Sequence, residues 1–249
     1  MPPQSSERGC KPPQGGFAHS RSLRIRTNIY VDGFNLYYGA VKGTPYKWLD
    51  VAKLCEQVLP GLSINRIRYF TARVKGTPTD PHMAGRQQTF IRALETLPNI
   101  SVHYGHFLES KTRMRHANPP PNMVEVVKIE EKGSDVNIAT YMLVDAFRKD
   151  CDQLVVITND SDLAEPIRII NKEFGIPVGV FNPHTQSTAD CKHRLSGRAG
   201  SAPKAHPSVE LRRMARFTRG IEEPHLIAAQ FPVTITDAAG KTTHKPKGW

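Results

Sequence analysis

No stretch of this chain approaches the ~18 consecutive apolar residues that a membrane-spanning helix requires, although 39% of its residues are hydrophobic, enough for a sizeable core. The first two dozen residues carry Pro, Gln, Gly, Ser and basic side chains but no apolar run of signal-peptide type, so a secretory signal is not expected there. Cysteine is scarce: Cys10, Cys55, Cys151 and Cys191 lie far apart with no CxxC pair, which argues against a zinc ribbon or a disulfide framework and for reduced thiols in the cytoplasm. No GxGxxG follows a predicted strand, no haem or flavin signature is present, and Lys42-Gly43-Thr44-Pro45 is too short for a phosphate-binding loop. Internal repeats are absent. Acidic residues are outnumbered, with 23 Asp and Glu against 34 Lys and Arg, a formal net charge of +11 that points to a polyanionic partner such as RNA or single-stranded nucleic acid. Much of the excess is local: eight Lys or Arg fall between Lys192 and Arg219 against Glu210 alone.

Against that basic background stand a few acids in a particular setting. Asp32 ends the run Tyr30-Val31, and Asp160 and Asp162 follow Leu154-Val155-Val156-Ile157. Asp135 sits in Lys132-Gly133-Ser134-Asp135, where a strand or ribbon gives way to a helix. Continuous apolar runs that stop abruptly are what strands buried on both faces look like, so these carboxylates belong at strand carboxyl ends. In open α/β sheets ligands collect there, near the point where strand order reverses. Carboxylates gathered in one place repel one another and raise each other's pKa, so they call for a cation. Oxygen donors without convergent Cys or His favour Mg²⁺ or Mn²⁺ over zinc. Taken singly, Asp135 also suits a helix cap and Asp160 with Asp162 an Asx turn. Asp145, Asp150 and Asp152 read as a solvated helix end.

The rest of the pattern alternates strand and helix. Strands are expected at 28–31, 64–74, 102–108, 154–158 and 177–182, with a short strand or ribbon at 123–130. Helices are expected at 34–40, from Val51 to Pro60, from Asp80 to Pro98, and at 136–149, 163–173 and 209–219. Residues 111–122, with Lys111, Arg113, Arg115 and a Pro119-Pro120-Pro121 run, read as a basic loop. Single helices between strands imply right-handed parallel crossovers. The expected organisation is a disordered basic leader over 1–25, an α/β domain over 26–183, and a basic linker, short helix and tail over 184–249, the tail packing on the domain or ordering on a partner.

Tyr30-Val31-Asp32-Gly33-Phe34-Asn35-Leu36-Tyr37 resembles the opening of NYN domains, the LabA-like branch of the PIN-like nuclease superfamily. Lys132-Gly133-Ser134-Asp135-Val136 and Thr158-Asn159-Asp160-Ser161-Asp162-Leu163 resemble the second and third signatures of that family, in the same order. The resemblance implies an α/β, PIN-like three-layer sandwich with a mostly parallel sheet of order 3-2-1-4-5 and a basic C-terminal extension. It further implies a metal-dependent ribonuclease in which Asp32, Asp135 and Asp160 hold one or two Mg²⁺ or Mn²⁺ ions, assisted by Asp162. Asn35 would orient the attacking water or a phosphate, and Arg68, Arg73 and Lys132 would meet the nucleic-acid backbone, with Arg66, Lys111, Arg113 and Arg115 alongside. Tyr37, Tyr38 or Phe107 would stack on unpaired bases.

Two other classes of function compete. One is a catalytically idle RNA-binding or regulatory module, because a fold licenses a site without specifying its chemistry. The other is an NADH-dependent hydroxylase of a pyridine compound, since some proteins similar to this group are known as 6-hydroxy-3-succinoylpyridine 3-monooxygenase of nicotine degradation. The expected partners are RNA or single-stranded nucleic acid and, for assembly, a second copy of the chain, with no membrane.

Overall fold

The computed structural model describes residues 25–61, 63–184 and 207–249. The leader and most of the basic linker, including Cys10, Cys191 and Lys192 to Lys204, lie outside the described residues.

Seven strands form one sheet in the order β4-β3-β2-β1-β5-β6-β7. They are β1 (Arg26–Asp32), β2 (Ser63–Ala72), β3 (Ile100–Arg115), β4 (Met123–Lys132), β5 (Gln153–Ile157), β6 (Val178–Asn182) and β7 (Phe217–Gly220). Every neighbouring pair is parallel except β3 with β4. The five strands expected to form the inner sheet appear in the expected order, here β3-β2-β1-β5-β6, and strand order reverses between β1 and β5. A separate two-stranded ribbon, β8 (Thr234–Thr236) with β9 (Thr242–His244), belongs to the C-terminal segment.

Because successive side chains of a strand point to opposite faces, β1 supplies both cores. Ile29 and Val31 enter one, with α2 (Val51–Val58), α3 (Met83–Leu94), Trp48, Tyr69, Phe181 and Phe231. Tyr30 enters the other, with Phe70, Val156 and Val180 beneath α4 (Ser134–Phe147), α5 (Ala164–Glu173) and α6 (Val209–Met214). The three layers follow from these two faces. Asp32, in step with Tyr30, falls on the α4 side. Cys55 and Cys151 are free and buried, and pack as small apolar groups.

Two expected elements differ. Of the basic loop expected at 111–122, residues 116–122 are loop, but 111–115 are strand: β3 continues to Arg115 and pairs with β4 as an antiparallel ribbon, from His106 opposite Lys132 to Arg115 opposite Met123. Charged side chains at 111, 113 and 115 hid the strand. They stand in solvent, and pairing with β4 satisfies the backbone without burial. The helix expected at 209–219 ends at Met214, and Phe217–Gly220 instead adds β7 alongside β6. The open edge of β6 offers backbone partners that the helix would leave unused, and Gly179 leaves room for the Phe217 ring, which a Cβ there would strike.

The C-terminal segment closes the first core. Phe231 packs 5.7 Å from Trp48, whose indole N–H donates to the Pro232 carbonyl at 2.7 Å, and Trp249 lies 5.8 Å from Phe90. Trp48 is fully buried as a result.

Candidate active site

The reversal between β1 and β5 puts two chain segments side by side at their carboxyl ends. Asp32 closes β1 and caps α1 (Gly33–Leu36), its Oδ1 accepting the Asn35 backbone N–H at 2.9 Å. Gly33 is required at that turn, because a Cβ would lie 2.6 Å from the Phe70 carbonyl oxygen and 2.8 Å from the Tyr69 ring. The Asp32 Oδ2 accepts from the Asn35 amide at 2.9 Å and from the Thr158 hydroxyl at 3.3 Å. Thr158, at the end of β5, receives the Asp160 N–H at 3.0 Å. Asp160 in turn accepts the Asp162 N–H at 3.0 Å and opens the short 3₁₀ turn Ser161–Leu163. The Asn35 side-chain oxygen accepts the Asn159 N–H at 3.2 Å, so this one residue ties the two segments together.

Asp135 arrives from a third segment. Gly133, at φ 97°, takes the left-handed conformation that turns β4 into α4, and Asp135 lies in the first turn of that helix. Asp32, Asp135 and Asp160 then line one cavity of about 290 Å³ together with Phe34, Asn35, Tyr38, Phe107, Glu131 and Ser134. Burial and the charges of Asp32, Asp160, Glu131 and Asp162 push the Asp135 carboxyl up to about 6. Burial also raises Asp32, opposed by its bonds from Asn35 and Thr158. No Lys, Arg or His lines this cavity among the described residues.

Other expected site residues lie elsewhere. Asp162 is exposed and off the cavity wall, acting on Asp135 through its charge alone. Arg68 is engaged inside the protein: Nε and Nη2 each meet Asp145 at 2.9 Å, and its guanidinium covers the Tyr141 ring at 4.4 Å. Asp145 is correspondingly no solvated helix end. It is 1% exposed, also accepts the Tyr30 hydroxyl at 2.7 Å, and is held below the usual carboxylate range although burial works against that. Arg73 is exposed over the Tyr104 ring at 4.7 Å, and Lys132 pairs with Glu130 at 3.6 Å on the outer ribbon. Both Asn35 amide ends are engaged within the protein, one on Asp32 and one on the loop after β5.

Two features escaped the sequence. Glu131 lines the cavity and accepts the Ser134 hydroxyl at 2.8 Å; its position directly before Lys132-Gly133 is the signal that could have found it. A second cavity of about 570 Å³ shares Phe34, Tyr38 and Phe107 with the first and runs past Tyr37, Lys47, Tyr69 and Arg86 to Trp249. Its residues are too dispersed along the chain for any motif.

Oxygen donors alone surround the acidic cavity, a composition suited to a hard divalent cation rather than zinc. Yet among the described residues no three His, Cys, Asp or Glu side chains already stand as a ligand set. The fit is therefore one of donor chemistry and charge.

An α/β fold with this sheet order and three aspartates at its switch point defines a PIN-like protein, and the chain belongs to the NYN domain family, whose model matches residues 26–194. It is similar to 6-hydroxy-3-succinoylpyridine 3-monooxygenase HspA of Pseudomonas putida (strain DSM 28022 / S16), at 30% identity over 253 residues, covering 90% of this chain and 75% of that protein. Among solved structures it is similar to VPA0982 of Vibrio parahaemolyticus RIMD 2210633, a protein of unknown function, with a TM-score of 0.48 and 16% identity over 81% of this chain and 96% of that one. A weaker likeness is to MurG of Acinetobacter baumannii, with a TM-score of 0.30 and 12% identity over 79% of this chain and 46% of that one.

Proposed function

We propose that this NYN protein hydrolyses phosphodiester bonds of RNA or single-stranded nucleic acid at the acidic cavity, with Mg²⁺ or Mn²⁺ as cofactor and the cytoplasm as its place of action. The observation that carries the reading is the arrival of Asp32, Asp135 and Asp160 from three separate segments at one cavity. Asp32, Asp135 and Asp160 would hold the cation. When bound, it would neutralise charge on the phosphate and favour ionisation of the attacking water.

The chain's own residues do the rest. Three hydrogen bonds from Asn35 and Thr158 fix the direction of the Asp32 carboxylate, so little reorientation is needed when substrate arrives. Crowding with Asp32, Asp160 and Glu131 pushes the Asp135 carboxyl up to about 6 without a cation, and a bound cation would relieve that repulsion and keep it ionised. Phe34, Tyr38 and Phe107 form the apolar wall that excludes water from one side.

The test is cleavage of labelled RNA and single-stranded DNA with Mg²⁺, Mn²⁺ or EDTA, comparing the wild type with Asp160→Asn. Metal-dependent cleavage lost in the variant supports the reading; equal cleavage by both proteins, or none by either, overturns it. An idle RNA-binding module would bind the same RNA without cutting it.

A second reading is NADH-dependent hydroxylation of a pyridine compound, favoured by the similarity to the monooxygenase of Pseudomonas putida. NADH consumption with hydroxylated product on adding 6-hydroxy-3-succinoylpyridine belongs to that reading alone.

A further inference from the structure

The larger cavity has walls of two kinds. On one side stand the rings of Phe34, Tyr38 and Phe107, the last two shared with the acidic cavity as Phe34 is; Phe34 meets Phe107 edge-on at 5.7 Å, and Tyr37 meets Tyr38 edge-on at 5.2 Å. Tyr69 and Phe90, 6.2 Å apart, line it further in. The charged part of the lining has both signs, with Lys47, Lys75 and Arg86 outnumbering Asp80 and Glu109. Lys47 and Arg86 both line the cavity with Asp80, and Asp80 is paired with Arg86. Lys47 makes no ion pair among the described residues, and the Tyr37 hydroxyl makes no hydrogen bond among them. Burial and the neighbouring Arg86 charge lower the Lys47 ammonium, and burial raises the Tyr37 hydroxyl.

The Lys47 ammonium and the Tyr37 hydroxyl, half-buried beside Arg86 and Asp80, are left available to a ligand that enters the cavity. Aromatic walls beside them offer stacking and edge-to-face packing to a flat ring. At about 570 Å³ the cavity lies within the range of small-molecule sites.

We propose that this cavity binds a planar heteroaromatic ring carrying an acidic group a few bonds away, the ring against Phe34, Tyr38 and Phe107 and the anion on Lys47 with the Tyr37 hydroxyl. That chemistry is shared by a single nucleotide of a strand lying across the acidic cavity and by a free aromatic carboxylic acid. The inference concerns a second cavity and goes beyond the hydrolytic reading; it stands or falls without a metal.

The test is isothermal titration of the full chain in EDTA with uridine 5′-monophosphate, adenosine 5′-monophosphate and nicotinate, and with uridine and inorganic phosphate as controls lacking either the anion or the ring. Saturable binding of at least one aromatic anion, weakened tenfold or more in Lys47→Ala and restored in Lys47→Arg, is expected. Preference for the nucleotides assigns the site to a nucleic-acid strand, and preference for nicotinate assigns it to a free acid. Tyr38→Ala should weaken every aromatic ligand and serves as the check on the ring wall. Absence of saturable binding by all three anions, binding of phosphate as tight as of the nucleotides, or unchanged affinity in a folded Lys47→Ala protein overturns the assignment. EDTA keeps a failure here separate from a failure of metal-dependent cleavage.

Discussion

Asp32 and Asn35 hold each other twice, through the backbone N–H of Asn35 to Oδ1 and through its side-chain amide to Oδ2, both at 2.9 Å. One carboxylate thus caps a helix and faces the acidic cavity. The two duties are separable by mutation. Asp32→Asn keeps an oxygen for the cap and loses the charge, so cleavage should fall about 100-fold or more while stability changes by less than about 1 kcal/mol. Asn35→Ala leaves the charge but frees its orientation and should cost about 10-fold to 100-fold in activity, as removal of groups that orient metal ligands does. Nuclease rates and thermal melts on both variants check this, and an Asp32→Asn enzyme of full activity would exclude the carboxylate from the chemistry.

Asp135 should destabilise the fold at neutral pH when no cation is present. Burial and the neighbouring carboxylates push its carboxyl up to about 6 in the native state, above the ordinary aspartate value of 3.8, so the native chain binds more protons than the unfolded chain between those values. Stability therefore declines as pH rises through that window, and the full cost is present above it. Asp135→Asn should raise stability at pH 7.5 in EDTA by on the order of 1 kcal/mol, a discounted figure because the group is only half-buried, and Tm by about 2–4 °C. At pH 3 to 4 the gain should vanish. Paired melts at the two pH values decide it; an equal gain at both would assign the effect to something other than charge.

Arg68 and Asp145 predict the opposite behaviour. Asp145 is 1% exposed and depends on Arg68, with help from Arg66 and the Tyr30 hydroxyl. Arg68→Leu strands a buried charge and should cost about 3–5 kcal/mol, while the double variant Arg68→Leu/Asp145→Leu should recover much of it. Because the Asp145 carboxyl is held low, its contribution is present above the ordinary aspartate value and is lost as pH falls through the lowered one. Urea melts of the two variants at neutral pH measure the difference, and additive losses would refute the pairing.

Phe231 should matter for stability rather than for chemistry. Its ring covers Trp48, and the next residue accepts the Trp48 indole N–H. Phe231→Ala should cost about 3 kcal/mol or more and shift Trp48 fluorescence to the red as water enters. A melt within error of the wild type would show that the C-terminal segment does not seal this core.

The inner sheet was legible because its signals are local. Leu154 to Ile157 is apolar at every position, as a strand covered on both faces must be, and β5 occupies it. The turns that carry Asp32 and Asp135 were legible for a similar reason, since Gly33 and Gly133 mark backbone that other residues do not tolerate. The extension of β3 from Lys111 to Arg115 was not, because that end of the ribbon is solvated on both sides and its charges alternate no more clearly than a loop would. Strand β7 escaped because 209–219 has helical spacing, and only the free edge of β6 ends the helix at Met214.

What the linear order of residues determined by itself is the α/β alternation and the placing of acids where strands stop, both consequences of short-range periodicity and turn chemistry. Tertiary structure alone decided which charges are spent inside the protein and which face a ligand. Arg68 looks like any strand arginine until Asp145, 77 positions away, closes on it. Lys47 looks like any surface lysine until rings from five distant segments line the cavity it borders. Such pairings depend on which elements pack together, and chain separation carries no local trace of that.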